Sequence, residues 1–387
     1  MAKLSVYLPP FAGDYTGACA ALFGMDCLVI IVDASCCTRN YVEYDETRWR
    51  GRRKSTFSAQ LRTLDAVLGD DARLIDQTLE AARELQPRCI AIVGTPVPAI
   101  TGMDVAGIAY EVEAASGIPA IGVDTTGFET YERGASRVLC LLADRFAGGE
   151  AGDMPHGVFG EAAVSANASV APSASVDGGS HAHGDAQPSA LPRVNVLGAT
   201  VQDFGTVEAL RWLEDVVRIE GVDLEWSTAG DFTPDDVARA TTARESIVVS
   251  QAGLAAARLL EQRFGVPMRV GVPAAASPAQ PRDFDGLVDA RPLLIVHDQV
   301  IACSLRNELR AAGFAAPLAV ASFFAMDDEL IEPDDFPIVD ERTLISFAAE
   351  HPRFAWAGDP LLARLPGFAE TPHLSLPHEA VSSTLYL

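Results

Sequence analysis

Short apolar runs alternate with longer amphipathic segments along most of this chain. The runs that we predict as strands are LSVYL (4–8), CLVIIVD (27–33), CIAIVG (89–94), PAIGVD (119–124), VNVLGA (194–199), VDLEW (222–226), SIVVS (246–250), MRVGVP (268–273), LLIVHD (293–298), PLAVAS (317–322) and FAWAGDP (354–360). Most are continuously apolar, and such strands are buried on both faces, as in parallel sheets flanked by helices. The pattern predicts an α/β fold of doubly wound, Rossmann-like parallel sheets.

The segments between these strands carry apolar residues at helical spacing. The predicted helices are Leu74–Leu85, Val105–Ala115, Val207–Ile219, Leu254–Phe264, Arg342–Glu350 and one that follows residue 298 and ends near Ala312. Open α/β sheets bind their ligands beyond the carboxyl ends of the strands. In the first part of the chain, we therefore expect chemistry in the loops after Asp33, Gly94 and Asp124.

Two changes in composition divide the chain. After Phe146 a stretch rich in Gly, Ala, Ser and Pro contains almost no large apolar side chain. Such a segment cannot offset the entropy cost of ordering, so it is predicted to be a disordered linker. A second Pro/Ala-rich join, PAAASPAQPRDFDG, begins at Pro273. We expect three α/β domains in series, at 1–145, 192–275 and 276–387, with the linker at 146–191.

The charge of the chain argues against some classes of partner. Its 387 residues carry a formal net charge of −24, which repels nucleic acid and anionic membrane surfaces. No apolar run approaches the roughly 20 residues that a membrane-spanning helix needs. The sequence opens with Met-Ala-Lys-Leu-Ser and a strand-like segment rather than with a secretory signal. We expect a cytoplasmic protein that binds neither nucleic acid nor membrane.

Two adjacent cysteines stand out in the segment VDASCCTRNYVEYDETRWRGRRK, residues 32–54. Cys36 and Cys37 follow the second predicted strand, in a loop of the kind that binds ligands. The seven cysteines of the chain are too sparse for a disulfide scaffold, so they are free thiols or metal ligands. Cys27, Cys89 and Cys140 fall within predicted strands or helices and are expected to be buried packing residues.

The same segment ends in a dense group of cations, Arg48, Arg50, Arg52, Arg53 and Lys54. In a chain this acidic, the group forms a local positive spot. Two interpretations stay open, namely an exposed face of a helix and a site that contacts an anion or an acidic partner.

Common catalytic and nucleotide-binding motifs are missing from the sequence. There is no Gly-x-Gly-x-x-Gly after a strand, no Walker A loop and no Gly-x-Ser-x-Gly. Adjacent cysteines do not match the Cys-x-x-Cys of dithiol oxidoreductases, and local spacing assembles no four-ligand zinc site. Thiolates do suit iron–sulfur clusters, and a cluster at a subunit interface needs only part of its ligands from one chain.

Several stretches resemble, in order and spacing, the component 1 family of nitrogenases and nitrogenase-like reductases. They are PPFAGDYTGACAALFGMDCLVIIVDASCCTRNY, CIAIVGTPVPAITGMD, SIVVS with LEQRFGVPMRVGVP, LLIVHDQVIACSLRNEL and AWAGDPLLARLPGF. The likeness covers nearly the whole chain apart from 146–191. It implies a paralogous component 1 partner subunit and electrons supplied by a separate ATP-dependent iron-protein reductase.

On this resemblance, Cys37 occupies the family's central cluster-ligand position, and Cys36 stands where glycine is usual. Two further ligand cysteines are not kept, and Pro96 occupies the place of one of them. The chain thus resembles the B-type subunit of dark-operative protochlorophyllide reductases, which gives one ligand to an interfacial 4Fe–4S cluster while its partner gives three. The likeness also implies that basic residues after Cys37 approach the cofactor or substrate, which here are Arg50, Arg52 and Arg53.

Two functions follow from the resemblance, and a third follows from the α/β pattern. The first is an oxidoreductase subunit that reduces a small-molecule or tetrapyrrole-like substrate through an interfacial iron–sulfur cluster of the 4Fe–4S type, held partly by Cys37. The second is a non-catalytic scaffold or cofactor-assembly binding protein that has lost cluster ligation. The third is a sensory module that binds a metabolite between α/β lobes.

Overall fold

The computed structural model describes residues 5–50, 55–149, 191–284, 287 and 291–383. These residues form three parallel sheets with helices packed against them. The strands are β1 (Cys27–Ile31), β2 (Thr56–Ser58), β3 (Cys89–Val93) and β4 (Ala120–Val123) in the first sheet, β5 (Arg193–Leu197), β6 (Asp223–Ser227), β7 (Ser246–Val248) and β8 (Met268–Val270) in the second, and β9 (Leu293–Val296), β10 (Leu318–Ser322), β11 (Phe336–Pro337), β12 (Ala355–Gly358) and β13 (His373–Ser375) in the third. The predicted α/β class with three doubly wound sheets is confirmed.

Helices connect the strands in each sheet, as parallel pairing requires. They are α1 (Asp14–Leu22), α2 (Cys36–Asn40), α3 (Thr63–Leu68), α4 (Ala72–Leu85), α5 (Pro96–Thr101), α6 (Val105–Ser116), α7 (Tyr131–Phe146), α8 (Val201–Phe204), α9 (Val207–Ile219), α10 (Pro234–Arg239), α11 (Leu254–Phe264), α12 (Gln299–Ala311), α13 (Glu341–Glu350) and α14 (Glu379–Ser382). In the part of the chain that the structure describes, none of the helices is long and apolar enough to cross a membrane.

The strand order places one reversal point in each sheet. The orders are β2–β1–β3–β4, β6–β5–β7–β8 and β11–β10–β9–β12–β13, so the first strand of each sheet lies between two later ones. Chain connections leave such a strand in opposite directions, which opens a crevice at its carboxyl end. The loops after β1, β5 and β9 are therefore the positions where this fold binds ligands.

The central strands are apolar because both of their faces are covered. Every residue of β1 and β3 is buried, and Cys27 pairs with Cys89 in the ladder between them. Each of these two thiols faces the same core as helices α1 and α7. The predicted packing role of Cys27 and Cys89 agrees with this burial.

Two glycines allow α1 and α7 to approach backbone to backbone. A Cβ atom on Gly17 would lie 1.8 Å from the carbonyl oxygen of Tyr131, and one on Gly134 would lie 1.8 Å from that of Asp14. Only glycine fits at either position. The contact places the first turn of α7 beside the start of α1, close to the carboxyl edge of the first sheet.

Residues 4–8 were expected to be a strand, but the described part, from Ser5, is irregular. The backbone N–H groups of Val6, Tyr7 and Leu8 donate to the carboxylate of Glu341 instead of to a neighbouring strand. The short edge strand β2 was not predicted, since three residues give too little periodicity. Most of the expected linker at 146–191 lies outside the described residues, and the three domain boundaries stay predictions.

Candidate functional site

The loop after β1 is held by one buried carboxylate. Asp33 accepts hydrogen bonds from the Thr38 N–H at 2.8 Å, the Thr38 hydroxyl at 3.0 Å and the Ser58 hydroxyl at 2.6 Å. Between them, Ser35 adopts a left-handed backbone with φ of 81°, which is uncommon for a residue other than glycine. The carboxylate thus fixes a tight turn that leads directly into α2.

This turn brings Cys36 and Cys37 to the carboxyl end of the first sheet. Cys36 is exposed and Cys37 is half-buried. Their sulfur atoms and a carboxylate oxygen of Asp33 all lie within 4.8 Å of one another. Burial, followed by the neighbouring Cys36, raises the pKa of the Cys37 thiol to about 12. A metal ion that binds here must therefore displace the Cys37 proton.

The loops after β3 and β4 close the other side of this edge. Thr95 donates to the Val32 carbonyl at 2.7 Å and lies beside Cys37. Pro96 packs against Gly127, where a Cβ atom would lie 2.4 Å from the proline ring. The three loops that the sequence singled out therefore meet, and Pro96, which stands where the family resemblance gives a ligand cysteine, follows Thr95 in one of them.

The remaining cysteines lie elsewhere in the described chain. Cys19, Cys27 and Cys89 are buried in the core, while Cys140 and Cys303 are half-buried on α7 and α12. The sheet edge therefore offers two sulfur ligands among the described residues. An iron–sulfur cluster with four protein ligands needs the others from another chain.

The predicted cation group is only partly described, and its first member is structural. Arg48 is buried, pairs with Glu46 at 2.7 Å and donates to the Ala20 carbonyl at 2.8 Å. Its guanidinium also lies 4.2 Å from the centre of the Phe23 ring. Both earlier interpretations, an exposed helix face and an anion site, are wrong for Arg48, because Glu46 neutralises it inside the protein.

Arg50, Arg52 and Arg53 cannot be placed in the same way. The backbone of Arg50 ends the short 3₁₀ turn Thr47–Arg50, whereas Arg52 and Arg53 lie outside the described residues. Their predicted contact with a cofactor or substrate stays a prediction.

A second polar cluster, which sequence reasoning missed, lies where α7, α8, the end of β9 and the start of α14 meet. Tyr131 of α7 donates a hydrogen bond to Asp203 of α8. His378 Nε2 lies 3.6 Å from the same Asp203 carboxylate, and the His378 ring is 4.4 Å from that of His297. We call Tyr131, Asp203, His297, Asp298 and His378 the junction cluster.

Burial controls ionisation in the junction cluster. It lowers the pKa of His297 to about 4 and the pKa of His378 well below its usual value. It raises the pKa of Asp298 to about 7 and that of Asp203 well above its usual value. The imidazoles are thus neutral at neutral pH, and the buried charge is kept small.

The junction has little free space. A cavity of about 10 Å³ is lined by Val296, His297, Phe323, Phe324, Asp359, Leu362, His378 and Val381. That is room for roughly one water molecule. All of the cavity's lining residues lie between positions 296 and 381, and a tetrapyrrole-sized group does not fit it. Cys36 and Cys37, in contrast, face an open edge, and their soft sulfur donors suit a metal–sulfur group.

The sequence carried a partial signal for this cluster. His297 and Asp298 end the predicted strand LLIVHD, at a carboxyl end where ligands are expected. Asp203 and His378 follow no such pattern, and they reach the cluster only through the docking of the second and third domains.

Comparisons with known proteins agree with this architecture. Residues 14–276 match the family described as nitrogenase component 1 type oxidoreductase. The solved structure of nitrogenase Cp1 at pH 6.5 superposes with a TM-score of 0.64 at 12% identity, covering 97% of this chain and 87% of that one. A second structure, at pH 5, gives 0.54 at 15% identity, covering 87% and 68%. At these identities the structural likeness shows the fold alone.

Curated relatives match this chain over only part of their own length. The nitrogenase iron-molybdenum cofactor biosynthesis protein NifE of Clostridium pasteurianum is 21% identical over 215 residues, which are 55% of this chain and 39% of the relative. NifE of Methanococcus maripaludis is 28% identical over 90 residues, 23% of this chain and 19% of the relative. The chain thus spans less than half of each relative. The family match over residues 14–276 covers most of the chain. This chain therefore belongs to the nitrogenase component 1 type oxidoreductase family.

Proposed function

We propose that this chain is one subunit of a nitrogenase-like assembly and holds an iron–sulfur cluster at the carboxyl edge of its first sheet. Cys37 is a cluster ligand, and Cys36 beside it is a second cofactor contact. The observation that carries this proposal is the position of both sulfur atoms on an open edge, in a turn fixed by Asp33.

A paralogous component 1 subunit supplies the other cluster ligands. Two thiols do not complete a cluster of the 4Fe–4S type, and Pro96 occupies one place that resemblance assigns to cysteine. Several apolar side chains in the segments that follow β2, β3 and β4 are also largely exposed, namely Leu64, Val67, Leu68, Ile100 and Phe128. Apolar exposure of this kind is typical of a surface that a partner covers.

When bound, the cluster supplies the electron chemistry, with electrons from an ATP-dependent iron-protein reductase. The chain itself positions the cluster and excludes water from the Cys37 side. Arg50, Arg52 and Arg53 remain proposed contacts for an anionic cofactor or substrate. A small-molecule or tetrapyrrole-like substrate binds at the subunit interface, beside the open thiol edge.

Cofactor assembly is a second candidate function. It is favoured by the relatives named as iron-molybdenum cofactor biosynthesis proteins and by the closed junction. In this role the open thiol edge holds a metal–sulfur group and passes it on, instead of transferring electrons to a substrate.

Anaerobic purification with the paralogous subunit tests the proposal. We expect a brown complex with iron and sulfide in equal amounts, and loss of both in Cys37→Ala while the two subunits still co-purify. Cys303→Ala is the matched control, since Cys303 is a half-buried thiol on α12. A colourless wild-type complex, or a Cys37→Ala complex with full iron content, contradicts the proposal.

The same complex separates the two candidate functions. Reduction of the cluster by an ATP-dependent iron protein, without loss of iron, supports the oxidoreductase role. Transfer of iron and sulfide to an apo-acceptor supports cofactor assembly.

A further inference from the structure

We infer that Asp33, Cys36 and Cys37 form a site for a single thiophilic divalent cation in the chain without its partner. The inference rests on the proposed use of Cys37 as a metal ligand, and it adds Asp33 as an oxygen ligand and Cys36 as a second sulfur ligand. The preferred ion is of the Zn²⁺ class, which takes thiolate and carboxylate ligands together.

The three ligand atoms are already close. Both sulfur atoms and a carboxylate oxygen of Asp33 lie within 4.8 Å of one another. Adjacent residues of a helix normally point in different directions. Here Cys36 is the first residue of α2 and follows the left-handed Ser35, so the turn and the helix together bring the thiols to one side.

The Asp33 carboxylate is held in place by hydrogen bonds and still has a lone pair with which to bind a metal. Its Oδ1 accepts from the Thr38 and Ser58 hydroxyls, and its Oδ2 accepts from the Thr38 N–H. A carboxylate offers about four lone-pair directions, so one remains on Oδ2. The same three bonds fix the rotamer, and metal binding therefore needs little reorganisation of this side chain.

The exposed position of Cys36 leaves the site accessible. Three protein ligands leave the fourth position of a tetrahedral ion open, as in exchangeable and catalytic zinc sites. A disulfide within the pair is disfavoured, because adjacent Cα atoms are about 3.8 Å apart and disulfides need about 4.4 Å or more. The two thiols are thus available to a metal.

Titration of the purified full chain with Co²⁺, under anaerobic and reducing conditions, tests the inference. We expect one equivalent to bind with the thiolate-to-cobalt charge-transfer absorbance and the visible bands of tetrahedral coordination, and Zn²⁺ to displace it. Cys36→Ser and Cys37→Ser should each weaken binding by about tenfold or more, and Asp33→Asn by about tenfold. Cys303→Ser should bind Co²⁺ like the wild type.

Unchanged absorbance in Cys36→Ser and Cys37→Ser, or equal loss in Cys303→Ser, overturns the inference. Circular dichroism shows whether Asp33→Asn folds. If it does not, Cys36→Ser still tests the site, because Cys36 is exposed and its substitution leaves the fold intact. A chain that binds Co²⁺ in this way but assembles no iron–sulfur cluster with its partner upholds this inference and contradicts the proposed function. If the complex assembles a cluster but the lone chain binds no Co²⁺ at this site, the proposed function is supported and this inference is overturned.

Discussion

The first strands of the first and third sheets, β1 and β9, occupy equivalent positions, yet their carboxyl ends have different surroundings. After β1, Cys36 and Cys37 lie at an open edge. After β9, His297 and Asp298 are buried, and Asp298 accepts a hydrogen bond from the backbone N–H of Gln251. The same topological position is thus open in one domain and closed in another.

The two positions stabilise their buried polar groups in different ways. In the junction cluster, tyrosine, carboxyl and imidazole groups contact one another, and burial suppresses their charges. At the thiol edge, the buried Asp33 is satisfied by the backbone and hydroxyls, and the sulfur atoms stay available. The junction therefore stabilises the domain arrangement, whereas the edge is suited to bind a metal.

The largest effect is expected from truncation in the junction cluster. His378→Ala removes a buried ring that stacks on Phe324 at 4.9 Å and contacts His297 at 4.4 Å. We expect the free energy of unfolding to fall by about 3 kcal/mol, since an aromatic-sized cavity forms. Urea unfolding measures it, with Co²⁺ affinity unchanged. A loss below about 0.5 kcal/mol contradicts a stabilising junction.

A smaller effect depends on pH. Burial raises the pKa of Asp298 from 3.8 to about 7. Between these values, the unfolded chain releases this proton while the folded chain keeps it, so the carboxyl's contribution to stability is present below pH 4 and lost as pH rises to 7. Asp298→Asn lacks this loss. Its free energy of unfolding should therefore gain on the wild type over that window.

Only the change with pH is diagnostic for this variant. Asparagine also weakens the bond from the Gln251 N–H, but that offset is the same at every pH. The contribution of His297 and His378 to stability has the opposite pH dependence, since it is lost as pH falls below about 6.5. Both histidines are present in the wild type and in the variant, so their effect cancels in the comparison. Parallel curves for the two proteins show that Asp298 is not held protonated.

The thiol edge should respond less in stability. Asp33→Asn weakens the three bonds that hold the turn, and we expect a loss of about 1 kcal/mol. Hydrogen exchange should accelerate at residues 35–40 and stay unchanged in α8 and α12. Faster exchange in those two helices contradicts the independence of edge and junction.

The smallest effect is expected at the exposed thiol. Cys36→Ser should change the free energy of unfolding by no more than about 0.5 kcal/mol, because the side chain is exposed. Thermal unfolding of metal-free protein measures it. A large loss assigns Cys36 a packing role and weakens the metal site.

Local sequence patterns predicted those features that depend on nearby residues. Continuous apolar runs such as those of β1 and β3 predicted buried parallel strands, because burial on both faces leaves a direct mark on the sequence. The position of Cys36 and Cys37 followed from the end of β1. Each depends on only a few neighbouring residues.

Features that depend on distant contacts were not predictable in this way. Tyr131 and Asp203 meet although 72 residues separate them in the chain. Residues Val6 to Leu8 resemble a strand but bind Glu341, 333 to 335 positions away. Arg48 is an exception, because its partner Glu46 is only two residues away, and the pair could have been recognised.

An oxygen-free structure of the chain with its paralogous partner tests the central claim most directly. We predict an iron–sulfur cluster at the subunit interface with an iron atom bonded to Cys37 Sγ. A complete assembly in which this sulfur contacts only protein atoms, with the cluster absent or held by other residues, contradicts the account.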